Sequence, residues 1–252
     1  RVSNCLGYVM SDVILSAWHG GLGDNLQFST LPEEFYKQQG KETYIWAEAP
    51  FRNQEIYDLV WGQNPYVKGR KVGLRNAGDL ADYSNREKTG DWIKDWEAVH
   101  GLKPTNSLPK IYYEPKKVEG FEDTILVDFT SISIDHSSDK ILNRLKELQK
   151  IYSDKRFLQV TFSKSLSPDK FNSYDTNCDS VVEIDDIFSY CDVIGSSYGL
   201  IALSSGASHL SSAIKEYSPD LLSICLMEKE WYNIHVNKGN MFIFNNIDYQ
   251  VV

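Results

Sequence analysis

The chain has 252 residues, 42% of them hydrophobic, enough to bury one large core or two domains of roughly 110–130 residues each. A net charge of −9 and a pI of about 5.1 exclude the basic footprint of a nucleic-acid binder, while leaving room for a local basic pocket. No apolar run reaches the length of a membrane span, no secretory signal precedes the first strand, and Cys5, Cys178, Cys191 and Cys225 lack paired or metal-like spacing, so the expectation is a soluble, cytoplasmic protein.

Met10-Ser11-Asp12 has the form of a natural start, which sets Arg1 to Val9 apart as a leader or an over-long beginning. The apolar run Val13 to Ala17 predicts a strand, Gly20, Gly21 and Gly23 a tight loop, and the residues after Asp24 a helix. Glycines let backbone approach a ligand, and the first amides of the following helix point at whatever lies above the strand end. Asp24 reads as a helix N-cap or as a chemical group presented by the loop. As a dinucleotide fingerprint, Gly21-Leu-Gly23-Asp-Asn-Leu26 lacks its third glycine. A helix over Asn25 to Gln39, interrupted at Pro32 and stopped by Gly40, leads to a strand at Thr43 to Trp46. Asn53 to Trp61 predicts a helix with Ile56, Leu59 and Val60 on one face, and Asn64-Pro-Tyr-Val67 turns into a further strand.

Residues 69–88 carry Arg70, Lys71, Arg75, Arg86 and Lys88 with little periodicity. They read as a solvated loop, or as an acceptor-binding loop whose cations meet an anionic sugar or phosphate. Asp91 to His100 is helical in pattern, Ile111 to Tyr113 a strand candidate, and Glu114 to Gly120 a linker. From Thr124 the pattern restarts: strands at Ile125 to Phe129, Phe157 to Phe162, Val181 to Ile184, Val193 to Gly195 and Leu221 to Leu226, with helices at Lys140 to Tyr152 and Asp185 to Cys191. Such βαβ units imply covered parallel sheets. The expected fold is α/β, two Rossmann-like doubly wound domains facing across a cleft, residues 10–117 and 121–252, unusually short for that architecture. Ligands of such sheets bind beyond the carboxyl ends of the strands, so the Gly20–Asp24 loop, the Ser131–Asp139 loop and the residues after Gly195 are expected to converge.

Ser204 to Ala213 is the second informative stretch. Small residues around a helix start leave its amides open to an anion, and serine hydroxyls can bond phosphate oxygens; the plain alternative is a small-residue helix packed on the sheet. His209 reads as a packing residue or a phosphate neighbour, and His19 as a hydrogen-bonding partner of the acceptor or donor. The chain has no His/Cys cluster, Glu183-Ile-Asp185 is too slight an acidic pair for a metal motif, and no Gly-x-Ser-x-Gly elbow follows a strand, so neither a metal site nor a serine hydrolase is expected.

Gly-Leu-Gly-Asp ending at Asp24, followed by Thr30-Leu31-Pro32, resembles the opening of the heptosyltransferase family of bacterial glycosyltransferases, and a similar glycine loop opens the glycogen and starch synthases. Ser205, Gly206, His209 and Leu210 match that family's donor-site motif, Asp-Thr/Ser-Gly-Pro-x-His-Leu-Ala-Ala-Ala. Ser204 stands where the family has its acidic residue and Ala207 where it has proline. The separation of Asp192 from Ser204 is also longer than in the family, so Tyr198 to Leu203 reads as an insertion, with Gly195-Ser-Ser-Tyr-Gly199 as another register for the motif. The resemblance implies a GT-B architecture and metal-independent, inverting transfer of a sugar from a nucleotide diphosphate sugar to a glycan or lipid-linked acceptor in cell-envelope polysaccharide synthesis, in the cytoplasm or at the inner face of the membrane. It implies Asp24 as catalytic base, donor binding by Gly21, Gly23, Lys140, Ser205, Gly206, Ala207, Ser208 and His209, and no cofactor beyond the donor. Lys140, close after His136, is the expected phosphate lysine, with Lys164 its competitor. The alternatives are a non-catalytic nucleotide- or glycan-binding protein that keeps the fold, and a nucleotide-sugar epimerase.

Overall fold

The computed structural model describes residues 12–17, 19–76, 78, 90–130, 139–163, 176–235 and 243–252. The first part holds a parallel sheet of β1 (Val13–Leu15), β2 (Thr43–Trp46) and β3 (Val67–Lys71), in the order β1-β2-β3. The helices around it are α1 (Leu22–Leu26), α2 (Leu31–Gln39), α3 (Gln54–Tyr57) and α4 (Trp92–Val99). The single helix expected over Asn25 to Gln39 is two. Pro32 has no amide hydrogen and its ring would strike the carbonyl four residues back, so the chain turns through 27–30 and restarts with Pro32 in the first turn of α2. Gly40, at φ 65°, ends α2. A π-helical turn, Asp58–Gly62, continues α3.

The second part is a six-stranded parallel sheet of β4 (Thr124–Asp128), β5 (Arg156–Phe162), β6 (Ser180–Ile184), β7 (Gly199–Leu203), β8 (Leu222–Met227) and β9 (Asp248–Val251), ordered β6-β5-β4-β7-β8-β9. Its helices are α5 (Asp139–Ile151), α6 (Ile187–Ser196), α7 (Gly206–Ile214) and α8 (Lys229–His235). This is a doubly wound sheet whose strand order reverses between β4 and β7, where such folds bind ligands. Ile141, Leu145 and Leu148 of α5 pack with Ile125, Val127, Ile201 and Ile224 on one face of the sheet. A second cluster on the other face runs from Leu126, Leu200 and Ala202 through α6 and α7 to Leu15, Leu26 and Ile45, so one core spans both sheets.

Val193 to Gly195 lies inside α6 rather than forming a strand. Asp186 caps that helix by accepting from Phe188 N and Ser189 N, and Ile187, Tyr190, Cys191 and Ile194 bury at helical spacing. The central strand is the fully buried β7, paired with both β4 and β8, so Tyr198 to Leu203 is no insertion. Gly195 to Gly199 joins the end of α6 to the start of β7 and therefore fronts no helix. Ile111 to Tyr113 belongs to neither sheet; Tyr217 Oη donates to the Ile111 carbonyl at 2.9 Å. The last strand, β9, pairs with β8, and Phe244 and Ile247 beside it pack with Ile93 of α4.

Candidate functional site

The glycine loop is shaped by what presses on it. A Cβ on Gly20 would lie 2.8 Å from Arg52 N and from Pro50 O, so the segment after β2 leaves no room for a side chain there. Arg52 N donates to Gly20 O at 3.0 Å. Gly21 is the N-cap of α1, and a Cβ on it would fall 2.6 Å from Asp24 Oδ2 and 3.5 Å from the Arg52 guanidinium. Asp24 is thus the third residue of the helix rather than its cap, and its carboxylate accepts from Gly21 N at 3.2 Å. Burial raises the Asp24 carboxyl above its ordinary range, while the nearby charges of His19 and Arg52 and the Gly21 amide pull the other way.

The second helix start is built from serines. Ser205, in extended backbone, caps α7 by accepting from Ala207 N at 3.3 Å. Ser208 Oγ accepts from Ser205 N at 3.3 Å and donates to Ser205 O at 2.8 Å, a capping box with serine in place of the usual glutamate. Ser205 and Gly206 remain half-buried, whereas Ser204, Ala207, Ser208 and His209 are buried.

The two helix starts touch. A Cβ on Gly206 would sit 2.9 Å from Leu22 Cβ and 3.3 Å from Gly23 N; one on Gly23 would sit 3.6 Å from Gly206 Cα and 3.5 Å from His209 Nδ1. At Gly206 there is no room for a Cβ, whereas one on Gly23 would make ordinary contacts, and this approach brings the loop beyond β1 against the loop beyond β7. His209 walls the junction. Its Nδ1 lies 2.7 Å from the Ser205 carbonyl, which can only accept, so Nδ1 carries the proton. The ring meets Phe244 edge-on at 5.2 Å, and burial drives the imidazole down to about 4, so His209 is neutral near pH 7.

Lys140 is exposed in the first turn of α5, on the chain that leaves the end of β4. His136 and Lys164 lie outside the described residues, as do most of 131–139 and part of the basic 69–88 segment. Among the described residues, no three His, Cys, Asp or Glu side chains converge as metal ligands do, and no helix is long and apolar enough to cross a membrane.

Three features escaped the sequence reading. Arg52 stands beside Asp24 because it follows β2, the strand next to β1; the rule that parallel strands gather function at their carboxyl ends would have found it. Asp128, closing the apolar strand β4, is buried at the strand-order reversal. Its Oδ2 accepts from Tyr190 Oη at 2.5 Å and its Oδ1 from Thr130 N at 2.8 Å. Burial holds the Asp128 carboxyl above its usual range against those bonds. Glu55 reaches from α3 across to the second part, accepting from Ile187 N at 3.0 Å and adding a second carboxylate to the start of α6.

Comparison with solved structures bears on the architecture. The dodecameric iron-containing heptosyltransferase TibC of enterotoxigenic Escherichia coli, solved in complex with ADP-D-β-D-heptose, superposes with a TM-score of 0.61 over 95% of this chain at 14% identity. The E. coli ADP-heptose lipopolysaccharide heptosyltransferase II gives 0.60 over 96% of this chain and 90% of its own, at 8% identity. The fold is GT-B-like. A family 9 glycosyltransferase from Veillonella parvula agrees, with a TM-score of 0.58 at 10% identity. The chain spans 62% of the length of TibC. No protein-family model matches the sequence, and no curated protein matches it. The GT-B-like arrangement accounts for the meeting of α1 and α7, since each follows a strand of its own parallel sheet and both sheets turn their carboxyl ends to one junction.

Proposed function

We propose that this protein is a glycosyltransferase that moves a sugar from a nucleotide diphosphate sugar to the hydroxyl of a glycan or lipid-linked acceptor, with inversion and without a metal. The observation that carries the reading is the junction itself: α1, which carries the half-buried Asp24 carboxylate, meets the start of α7 through Leu22 and Gly23, beyond the carboxyl ends of both sheets. The likeness of fold to heptosyltransferases supports it.

In this mechanism Asp24 accepts the acceptor's hydroxyl proton as that oxygen attacks the anomeric carbon and the bond to the diphosphate breaks. A carboxyl raised by burial is a stronger base than an ordinary aspartate, and positioning supplies much of the remaining gain. The departing diphosphate gains negative charge, met by the Gly206 amide, the Ser205 hydroxyl and the Lys140 ammonium, with Gly21, Gly23, Ala207 and Ser208 shaping the space and His209 supporting it uncharged. Asp24→Asn is expected to lower transfer by about 10²–10⁴-fold while leaving the thermal shift with a nucleoside diphosphate unchanged. Full activity in that variant removes Asp24 as base.

A non-catalytic binder is the second reading, favoured by two contacts: the Asp24 carboxylate already serves Gly21 N, and Ser205 with Ser208 already closes part of the first turn of α7. Nucleotide binding without transfer, hydrolysis or epimerisation supports it.

A further inference from the structure

Behind the glycine loop lies a paired arrangement that the proposed chemistry does not use directly. Asn25 Nδ2 donates to the Gly21 carbonyl at 2.8 Å, and Asn25 Oδ1 accepts from the Trp61 indole N–H at 2.9 Å. Two residues on, Gln27 Nε2 donates to the Gly23 carbonyl at 3.3 Å, and Gln27 Oε1 accepts from the Trp96 indole N–H at 3.0 Å. Both carboxamides and both indoles are almost wholly buried, with exposures of 1%, 0%, 1% and 0% for Asn25, Gln27, Trp61 and Trp96. Each amide thus joins one loop carbonyl to one tryptophan of a different helix.

The supports come from separate elements. Trp61 stands on the π-helical turn that continues α3, where Gln63 N bonds to Asp58 O five residues back. Such a turn rotates the side chains that follow it relative to a regular helix, and here it carries the residue that reaches Asn25. Trp96 sits on α4, its ring stacked at a tilt on Phe28 with centroids 4.6 Å apart. The Gly21 and Gly23 carbonyls also accept the Asn25 and Gln27 backbone amides, so each is held by two donors. Tying these two carbonyls fixes the backbone on either side of Asp24, and with it the Gly21 amide that the Asp24 carboxylate accepts from.

We propose that Asn25 and Gln27, braced by Trp61 and Trp96, are positioning residues that set the direction of the Asp24 carboxylate. In its catalytic consequence this rests on the transferase reading; in its structural part it does not. A polar group so buried and so fully bonded is costly to disturb, and a small error in the angle of a reacting group is costly in rate.

The test has an arm that needs no substrate. In the unaltered protein, the Trp61 and Trp96 indole protons should outlast the partly exposed Trp46 indole in hydrogen exchange by at least about a hundredfold; equal lifetimes overturn the brace. Trp61→Phe and Trp96→Phe keep a ring and remove the donor. Exchange at the Asn25 and Gln27 amides should then rise at least tenfold more than exchange in β4 and β7, which reports general loosening. A uniform rise, or none, overturns the proposal. In the kinetic arm, these variants and Gln27→Met should lower kcat about tenfold with the donor KM within twofold. Unchanged kcat, or kcat and KM moving together, overturns positioning. Absence of turnover in the unaltered protein counts against the transferase reading alone, and the exchange arm still decides the brace.

Discussion

At Gly21 the missing side chain is what lets the Asp24 carboxylate fold back to the helix start, since a Cβ would lie 2.6 Å from Oδ2. Its backbone, at φ −73° and ψ 158°, is open to any residue, so Gly21→Ala carries no backbone strain and acts on Asp24 alone. We expect it to break the Gly21–Asp24 hydrogen bond and reduce transfer by about tenfold or more, with a Tm change of only a few degrees. Asp24 also has a signature in stability. Because its carboxyl is raised by burial, the ionised form costs stability at neutral pH, and the cost fades as pH falls through the folded-state range. Asp24→Asn should therefore raise Tm by roughly one to a few degrees near pH 7 and leave it unchanged below about pH 3, as read by calorimetry. His209 runs oppositely. It is neutral in the fold down to about 4 but protonates at its ordinary 6.5 when unfolded, so stability is lost as pH falls from 6.5 through 4. His209→Gln should remove that part of the acid sensitivity, up to about 3 kcal/mol, in denaturant titrations at pH 7 and pH 4.

Among the elements, α7 meets α1 most tightly at Gly206. Gly206→Ala would put a methyl 2.9 Å from Leu22 Cβ, a backbone-anchored neighbour, and the cost expected for such overpacking is about 1–3 kcal/mol. Urea denaturation should show it, and a variant of unchanged midpoint would mean that α1 and α7 do not press together in solution. The start of α6 carries a local signal that two kinds of element share. Asp186 as a cap and the apolar residues at helical spacing are all present in the sequence, yet Val193-Ile194-Gly195 reads as a strand, because a short apolar run satisfies both periods. Length decides such runs, and the central strand β7 lies in Tyr198 to Leu203, the stretch that family spacing marks as an insertion. By contrast α5, with Ile141, Leu145 and Leu148 on one face and no competing pattern, was readable at once.

Over the whole molecule, the two sheets share one buried cluster, and the crossing chain is held to both parts. Lys110 N bonds to Ser29 Oγ and Tyr112 Oη to Glu33 on the first side, while Tyr113 Oη and Lys116 N both bond to Asp192 of α6 on the second. The stretch from Glu114 to Gly120, which reads as a free linker, is therefore pinned along α6. A continuous core of this kind should unfold in one step, so the calorimetric and van't Hoff enthalpies are expected to agree; two resolved transitions would show the halves to be independent.

What local sequence determined here was the set of elements whose signals are themselves local: the glycine loop and helix after β1, the proline break, the glycine stop at Gly40, the amphipathic α5 and the serine-led α7. These follow from backbone sterics, capping and periodicity, each settled within a few residues. The strand order, the contact of Gly23 with Gly206, the approach of Arg52 to Asp24, the Asp128–Tyr190 bond and the indole braces join residues far apart in the chain. No local pattern encodes them. They exist because parallel strands must be linked by crossovers, which carries the loops beyond β1, β2 and β7 to one end, and because buried amides and carboxylates must find partners wherever the packed core supplies them.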